Sequence, residues 1–312
     1  MKASGICGSD LHIYRRSLAQ ELYDRQITAG HEPSGEIIEV GAGVTDWAIG
    51  DRAVVYFRRT CGVCIYCRTG HNNVCKDIRP GYGFGADGSH AEYMVADATT
   101  LMRLPEELSF RDGAILACQG GTAYAPLARM NVGGRDVVAI SGLGPVGLLA
   151  TRFAVAMGAT VIGIDPVAAR RTLAEQMGTA AVFDPGRGEL AEQIEALIPT
   201  GVNKLVETSG ATSAHQAIGQ ILQPLGTVAL VGLGNPVFTA SLHELTRWEY
   251  TVLGSSIYPQ IQWDEMCRFI LSKQIVLDNI VGEDLKLDEG KRGFEMADAA
   301  VMGKICIHFD ET

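Results

Sequence analysis

The pattern of apolar and polar positions changes character at about residue 136. Before it, residues 34–41 (SGEIIEVG), 51–57 (DRAVVYF) and 90–98 (HAEYMVADA) are runs of high β-propensity with Gly and Asp between them, and they predict strands. After it, short apolar runs alternate with amphipathic stretches. Strands are predicted at 136–141, 160–165, 180–184, 204–208, 227–232 and 251–255, and helices at 145–157, 168–177, 189–198 and 211–222. Such βαβ alternation implies a parallel sheet covered on both faces, and six strands match a doubly wound dinucleotide fold. WDEMCRFILS predicts one more helix before a mixed tail. No internal repeat or low-complexity segment interrupts this plan.

Composition narrows the class. The 312 residues, 47% hydrophobic and 20% charged, suit two domains with a large core. The net charge of −10 comes from scattered acidic residues. That is a solvated surface, and it argues against a nucleic-acid partner, which calls for clustered Lys and Arg. No run of 18 apolar residues predicts a membrane span. The opening MKASGICGSD lacks the apolar segment of a signal peptide, so the chain is expected in the cytoplasm with its thiols reduced.

Reduced thiols change the reading of CGVCIYCRTGHNNVC. Cys61, Cys64, Cys67 and Cys75 form C-x2-C-x2-C-x7-C, half of the eight cysteines within one short loop. Thiolates at this spacing fit a tetrahedral zinc cage, and Gly62, Gly70 and Asn72 permit the turns. Four thiolates leave no open position, so this zinc is expected to be structural. A disulfide cluster or chance spacing are the competing explanations.

The segment VVAISGLGPVGLLATRFAVAMGATVIGID carries G-x-G-x-x-G at Gly142, Gly144 and Gly147, with Pro145 and Val146 between the last two. The motif follows a predicted strand and opens a predicted helix, the context that gives it meaning. The first glycine permits the turn, the second lets backbone approach a pyrophosphate, and the third packs helix on strand. Asp165 ends the next strand, where an acid bonds ribose hydroxyls and repels a 2′-phosphate, favouring NAD over NADP. Arg170 nearby pulls the other way. Plain turn chemistry for the glycines, and a helix N-cap for Asp165, are the bland alternatives.

Four cysteines remain. Cys7 stands in GICGSDLH, with His31 in GHEPSGE and Cys118 in LACQGGTAY. Two thiolates and an imidazole would give three ligands and one open position, the geometry of a catalytic zinc. Long gaps separate the three, and singly each has a packing explanation. Cys267 and Cys306, in apolar surroundings, are expected in the core.

GICGSDLH, GHEPSGEIIEVG, the four-cysteine lobe, ACQGGTAY and GLGPVG followed by an acid together resemble the zinc-dependent medium-chain alcohol dehydrogenase family, over nearly the whole chain. The resemblance implies a β-rich, chaperonin-10-like (GroES-like) catalytic domain over 1–121, a Rossmann domain over 122–259 and a return to the catalytic domain over 260–312. It implies two zinc ions per chain and NAD. By the same resemblance Cys7, His31 and Cys118 are the catalytic zinc ligands and Glu32 an acid able to approach the metal. Asp10 orients His31, Ser9 takes the alcohol proton and His12 passes it to solvent. Thr122 passes the nicotinamide and Lys304 stands near the pyrophosphate.

In that family GICGSDLH follows about thirty residues that form opening strands, and here it begins at residue 5, so either the first Met is an internal methionine or the domain has lost those strands. Polyol and threonine dehydrogenases of the family often carry glutamate where Cys118 stands, so the resemblance favours alcohol dehydrogenases proper. The expected reaction is hydride transfer between a primary or secondary alcohol and NAD, in a dimer or tetramer. A polyol, threonine or other specialised dehydrogenase, and a non-catalytic NAD-binding sensor, remain the alternatives. Tyr14, Trp47 and Phe84 are candidates to line a substrate pocket, against ordinary packing.

Overall fold

The computed structural model describes residues 1–15, 26–234, 237–299 and 303–309. The chain divides into two compact units, 1–121 with 259–312, and 122–258.

The first unit is built on a six-stranded sheet in the order Val281–Lys286, Lys304–His308, Ala3–Ile6, Pro33–Glu36, Arg52–Val55, Leu101–Arg103. The strand Ala3–Ile6 is buried at every position and sits centrally, antiparallel to both neighbours. That placement matters for chemistry, because Ile6 leads straight into Cys7. Its partner Pro33–Glu36 begins just after His31 and Glu32, and the amide of Gly5 donates to the carbonyl of Glu32 at 3.2 Å. Lys304–His308 lies on the other side with Ile305 opposite Ile6. One end of three adjacent strands therefore gathers residues from the two extremes of the sequence.

The second unit holds six parallel strands in the order Thr251–Gly254, Leu222–Leu230, Val202–Glu207, Val137–Ser141, Thr160–Ile164, Ala181–Phe183. By sequence rank this is 6-5-4-1-2-3, the doubly wound order, and its reversal falls between Val137–Ser141 and Val202–Glu207. The core of Ala139, Ile162, Leu205 and Val228 comes from the strands, with Ile194, Ile218 and Ile221 from the helices. The fold class is thus the one expected: one unit holds the doubly wound Rossmann sheet that the apolar periodicity predicts, and the other the β-rich GroES-like fold that the resemblance implies.

One predicted strand is absent. Residues 90–98 form no ladder, and Val95 is 92% exposed. Strand propensity reports fit to a pleated surface, and no neighbouring strand among the described residues gives this segment one. Cys267 and Cys306 are buried in the core as expected.

Candidate functional site: two metal-donor clusters and a glycine turn

All eight cysteines are free thiols. In the lobe over 61–75, Sγ atoms are separated by 3.5 Å (Cys61–Cys75), 3.6 Å (Cys64–Cys67) and 3.9 Å (Cys61–Cys67 and Cys64–Cys75). Disulfide sulfurs would stand about 2.05 Å apart. A tetrahedron with Zn–S bonds of about 2.3 Å has edges of about 3.8 Å, so the spacing fits a zinc cage. The backbone serves it too: the amides of Cys64 and Asp77 donate to the sulfurs of Cys61 and Cys75 at 3.3 and 3.4 Å. Gly62 and Gly70 take left-handed φ of 71° and 82°, so these turns need glycine.

Cys7, His31, Glu32 and Cys118 form a second cluster, each offering a donor atom within 4.8 Å of the others. Three local features bring them together. Cys7 caps the helix Gly8–Tyr14, and its amide donates to Asp10 Oδ2 at 2.8 Å. His31 and Glu32 precede the strand beside Ala3–Ile6. Cys118 lies in a π-helical stretch, Leu116–Gly120, that follows the α-helix Phe110–Ile115. Widened turns of this kind are frequent at functional sites.

The electrostatics follow from burial and neighbours. His31 Nδ1 donates to Asp10 Oδ1 at 2.7 Å, with both side chains shielded from solvent. Burial alone would lower the His31 pKa, but the Asp10 carboxylate, aided by Cys7, lifts it well above the usual imidazole range. With Nδ1 engaged by Asp10, Nε2 is the nitrogen that faces the cluster, and a metal there would take the place of its proton. A hydrogen bond from Cys118 holds the Cys7 thiol well below its usual range against the effect of burial. The same bond, together with burial, pushes Cys118 well above it. Two sulfurs sharing one proton favour a cation in its place. Ser9 Oγ lies 3.3 Å from both Cys7 Sγ and His31 Nε2, and His12 is half-buried on the same helix. The donor set is three nitrogen or sulfur atoms plus a carboxylate, which fits zinc.

Lys304, expected near the pyrophosphate, has its side chain in this pocket. Its ammonium is fully buried, pairs with Glu32 and donates to the carbonyl of Ile6 at 2.7 Å. Burial pushes the Glu32 carboxyl up to about 8, with Lys304 opposing. A side chain at Gly5 would fall on both the Glu32 carboxylate and the Lys304 stem, so the glycine of GICG is required by this pair.

Two aromatic rings pack on His31: Phe84, which was a pocket candidate, and Phe57, which the sequence did not single out. The Phe84 and Phe57 rings lie 4.7 and 5.1 Å from the His31 ring. Of the three pocket candidates only Phe84 is at the cluster. Trp47 lies under the Arg103 guanidinium and Tyr14 packs on Phe294. Nothing in the spacing of Phe57 or Phe84 from His31 could have signalled the contact.

In the second unit, Gly142 takes φ +91°, and a Cβ there would meet Ser209. A Cβ at Gly147 would strike the Gly142 carbonyl oxygen. Gly144 is the N-cap and Pro145 the first residue of the helix Pro145–Ala156, with Val146 next, so free amides face the turn. Asp165 does not cap a helix. Its carboxylate accepts from the amides of Leu143 and Val167, each at 2.8 Å, and so ties the glycine turn to the next strand. Arg170 Nη1 lies 3.6 Å from it. Thr122 Oγ1 is buried without a hydrogen-bond partner among the described residues.

Residues 1–106 match the alcohol dehydrogenase GroES-like domain family, and residues 145–272 match the zinc-binding dehydrogenase family. The chain is 32% identical, over its whole length and 91% of the relative's, to the zinc-type alcohol dehydrogenase-like protein YphC of Escherichia coli. It is also 32% identical to the L-threonine 3-dehydrogenase of Pyrococcus horikoshii, over 97% of this chain and 88% of that one. Among solved structures, the alcohol dehydrogenase TADH from Thermus sp. ATN1 superposes with a TM-score of 0.90 at 27% identity, covering 98% of this chain and 90% of that one.

Proposed function

The chain belongs to the zinc-dependent medium-chain dehydrogenase family, and from that premise we propose that it transfers a hydride between a small primary or secondary alcohol and NAD, interconverting the alcohol with its aldehyde or ketone. The observation that carries this reading is the cluster of Cys7, His31 and Cys118 with Glu32 beside it, in a chain that also has the glycine turn of a dinucleotide fold.

When bound, zinc supplies the Lewis acidity that eases loss of the alcohol proton, and the dinucleotide supplies the hydride acceptor. Cys7, His31 and Cys118 would hold the metal, and Asp10 orients the His31 ring through Nδ1. Ser9 Oγ, within 3.3 Å of two of those donors, takes the alcohol proton, and His12 on the same helix passes it outward. Phe57 and Phe84 keep water from the His31 ring. Lys304 neutralises Glu32, the acid that would stand beside the metal. Gly142, Gly144, Pro145, Val146 and Gly147 cradle the pyrophosphate. Asp165 disfavours a 2′-phosphate, and Thr122 contacts the nicotinamide.

The likeness to a threonine dehydrogenase favours one second reading, oxidation of an amino alcohol or polyol at the same metal site. A substrate panel of simple alcohols, polyols and threonine, run on zinc-loaded protein with NAD and with NADP, separates the two. About two zinc per chain with turnover on a simple alcohol supports the first reading. One zinc, dinucleotide binding and no turnover on any member sinks both and leaves a sensor.

Free thiols throughout support a reducing compartment, the cytoplasm. Among the described residues no helix is long and apolar enough to cross a membrane. The edge strand Thr251–Gly254, with Val252 and Leu242 exposed nearby, supports self-association into a dimer or tetramer, which light scattering would read directly.

A further inference from the structure

The helix Thr212–Ile221 packs Ile218 and Ile221 into the core of the second unit. His215 stands three residues before Ile218 and so lies on the same inward face. Its Nε2 is 3.3 Å from Glu207 Oε2, with side chains 9% and 0% exposed. Glu207 ends the strand Val202–Glu207, and it also accepts from the amides of Ser209 at 2.8 Å and Gly210 at 3.0 Å and from the Ser209 hydroxyl. The carboxylate is saturated, but the histidine is not. His215 Nδ1 is buried and has no hydrogen-bond partner among the described residues. A buried ring nitrogen left unpaired is a cost that a packed core ordinarily avoids.

His215 is also a wall of a cavity of about 80 Å³, with Ile218, Leu222, Phe238 and Tyr250 as its apolar sides and Ser241 and Glu244 at its polar edge. The Phe238 ring stands edge-on to the imidazole with centroids 5.5 Å apart. The volume is several times the roughly 10–15 Å³ that one water requires. None of the zinc-donor or glycine-turn residues lines it.

We propose that this cavity is a second small-molecule site, taking a compact neutral molecule that carries one hydroxyl on an apolar body. The apolar walls set the body. The unpaired Nδ1 sets the hydroxyl, which both donates and accepts and so satisfies the nitrogen in either protonation state. Glu244 at the edge, and Glu207 behind the ring, exclude an anion. The site does not depend on the dehydrogenase reading, and its test needs no turnover.

Phenol is the probe, because its hydroxyl-bearing carbon has no hydrogen to give up as hydride. Calorimetric titration of the zinc-loaded full-length protein with phenol is expected to show saturable binding. His215→Phe keeps a ring but removes the nitrogen, and Ala240→Trp fills the cavity from an exposed position on its rim. Each is expected to weaken phenol binding at least about tenfold, the loss of one buried hydrogen bond or of the apolar contact. Ala240→Trp also guards against a His215 variant that fails to fold. Cys118→Ser is expected to leave phenol binding unchanged. Absence of saturable binding overturns the proposal. So does binding that survives Ala240→Trp, or binding lost in Cys118→Ser, which would put phenol in the metal pocket.

Discussion

Asp10 Oδ1 and His31 Nδ1 lie 2.7 Å apart, both shielded from solvent, and this contact decides which imidazole nitrogen is left for a metal. The carboxylate accepts the Nδ1 hydrogen, so Nε2 is the nitrogen turned toward Cys7 and Cys118. Asp10→Asn can present its amide hydrogens to Nδ1 and reverse the tautomer. Affinity of this site for zinc is expected to fall about 10–100-fold, with the four-cysteine site unaffected. Chelator titration followed by metal analysis distinguishes one lost zinc from none; an unchanged second zinc would show that Asp10 does not orient the ring.

Lys304 and Glu32 form a buried pair whose members depend on one another. Lys304→Met leaves a carboxyl in an apolar pocket, and Glu32→Gln leaves an ammonium there. Each single change is expected to destabilise by about 3–5 kcal/mol, whereas the double variant recovers most of the loss. Urea unfolding of the four proteins completes the cycle. Additive losses would mean the two groups do not act as a pair.

The four-cysteine lobe is tied to residues far along the chain by a reciprocal amide pair. Asn72 Nδ2 donates to Gln260 Oε1 at 3.1 Å, and the backbone N–H of Gln260 donates to Asn72 Oδ1 at 2.9 Å. That pair alone does not hold a loop whose four thiolates have lost their cation. Stripping the metal is expected to speed tryptic cleavage after Arg68 and Lys76, both exposed. Equal cleavage rates with and without chelator would show that the lobe does not need a metal.

How much of this was legible in the sequence depends on how far each signal reaches along the chain. The six parallel strands and their helices were readable because apolar periodicity is local, as in residues 137–141 and 145–156. The glycine turn was readable for the same reason. Each of the two donor clusters has a different reach. Cys61 to Cys75 declare themselves by spacing, but Cys7, His31 and Cys118 meet only because two strands are neighbours and a π-helical turn lies beside them. The Lys304–Glu32 contact was not legible, because the strand of Lys304 pairs with Ala3–Ile6 across almost the whole chain. The segment 90–98 had strand propensity and no partner strand, which composition cannot report.

Gly147 tests the cofactor turn directly. A Cβ there would strike the Gly142 carbonyl oxygen, which is backbone and cannot swing aside. Gly147→Ala is expected to force helix and turn apart, costing about 1–3 kcal/mol of stability and weakening NAD binding at least about tenfold. Isothermal titration with NAD gives the answer. Undiminished affinity would remove the turn from the binding site.

Asp136, in the second unit, supplies a pH test. It stands at the start of the strand Val137–Ser141 and accepts from Lys204 Nζ, Asn203 Nδ2 and the Gly133 amide, each at 2.7 Å. Burial would raise its pKa, but Lys204 and the two other donors outweigh that and hold the folded value below the usual one. A folded pKa that is depressed means the unfolded chain takes up the proton first as the solution is acidified. The stabilisation is therefore complete above the unfolded value of about 3.9, and it is lost as the pH falls through the folded one. Asp136→Asn cannot titrate and keeps the shape of the side chain. The melting-temperature gap between wild type and Asp136→Asn is expected to be open at pH 7 and to narrow below about pH 4. Metal loss in acid affects both proteins, so the difference between them isolates the carboxylate. A gap of constant size down to pH 3 would show that the Lys204 pair contributes nothing that depends on charge.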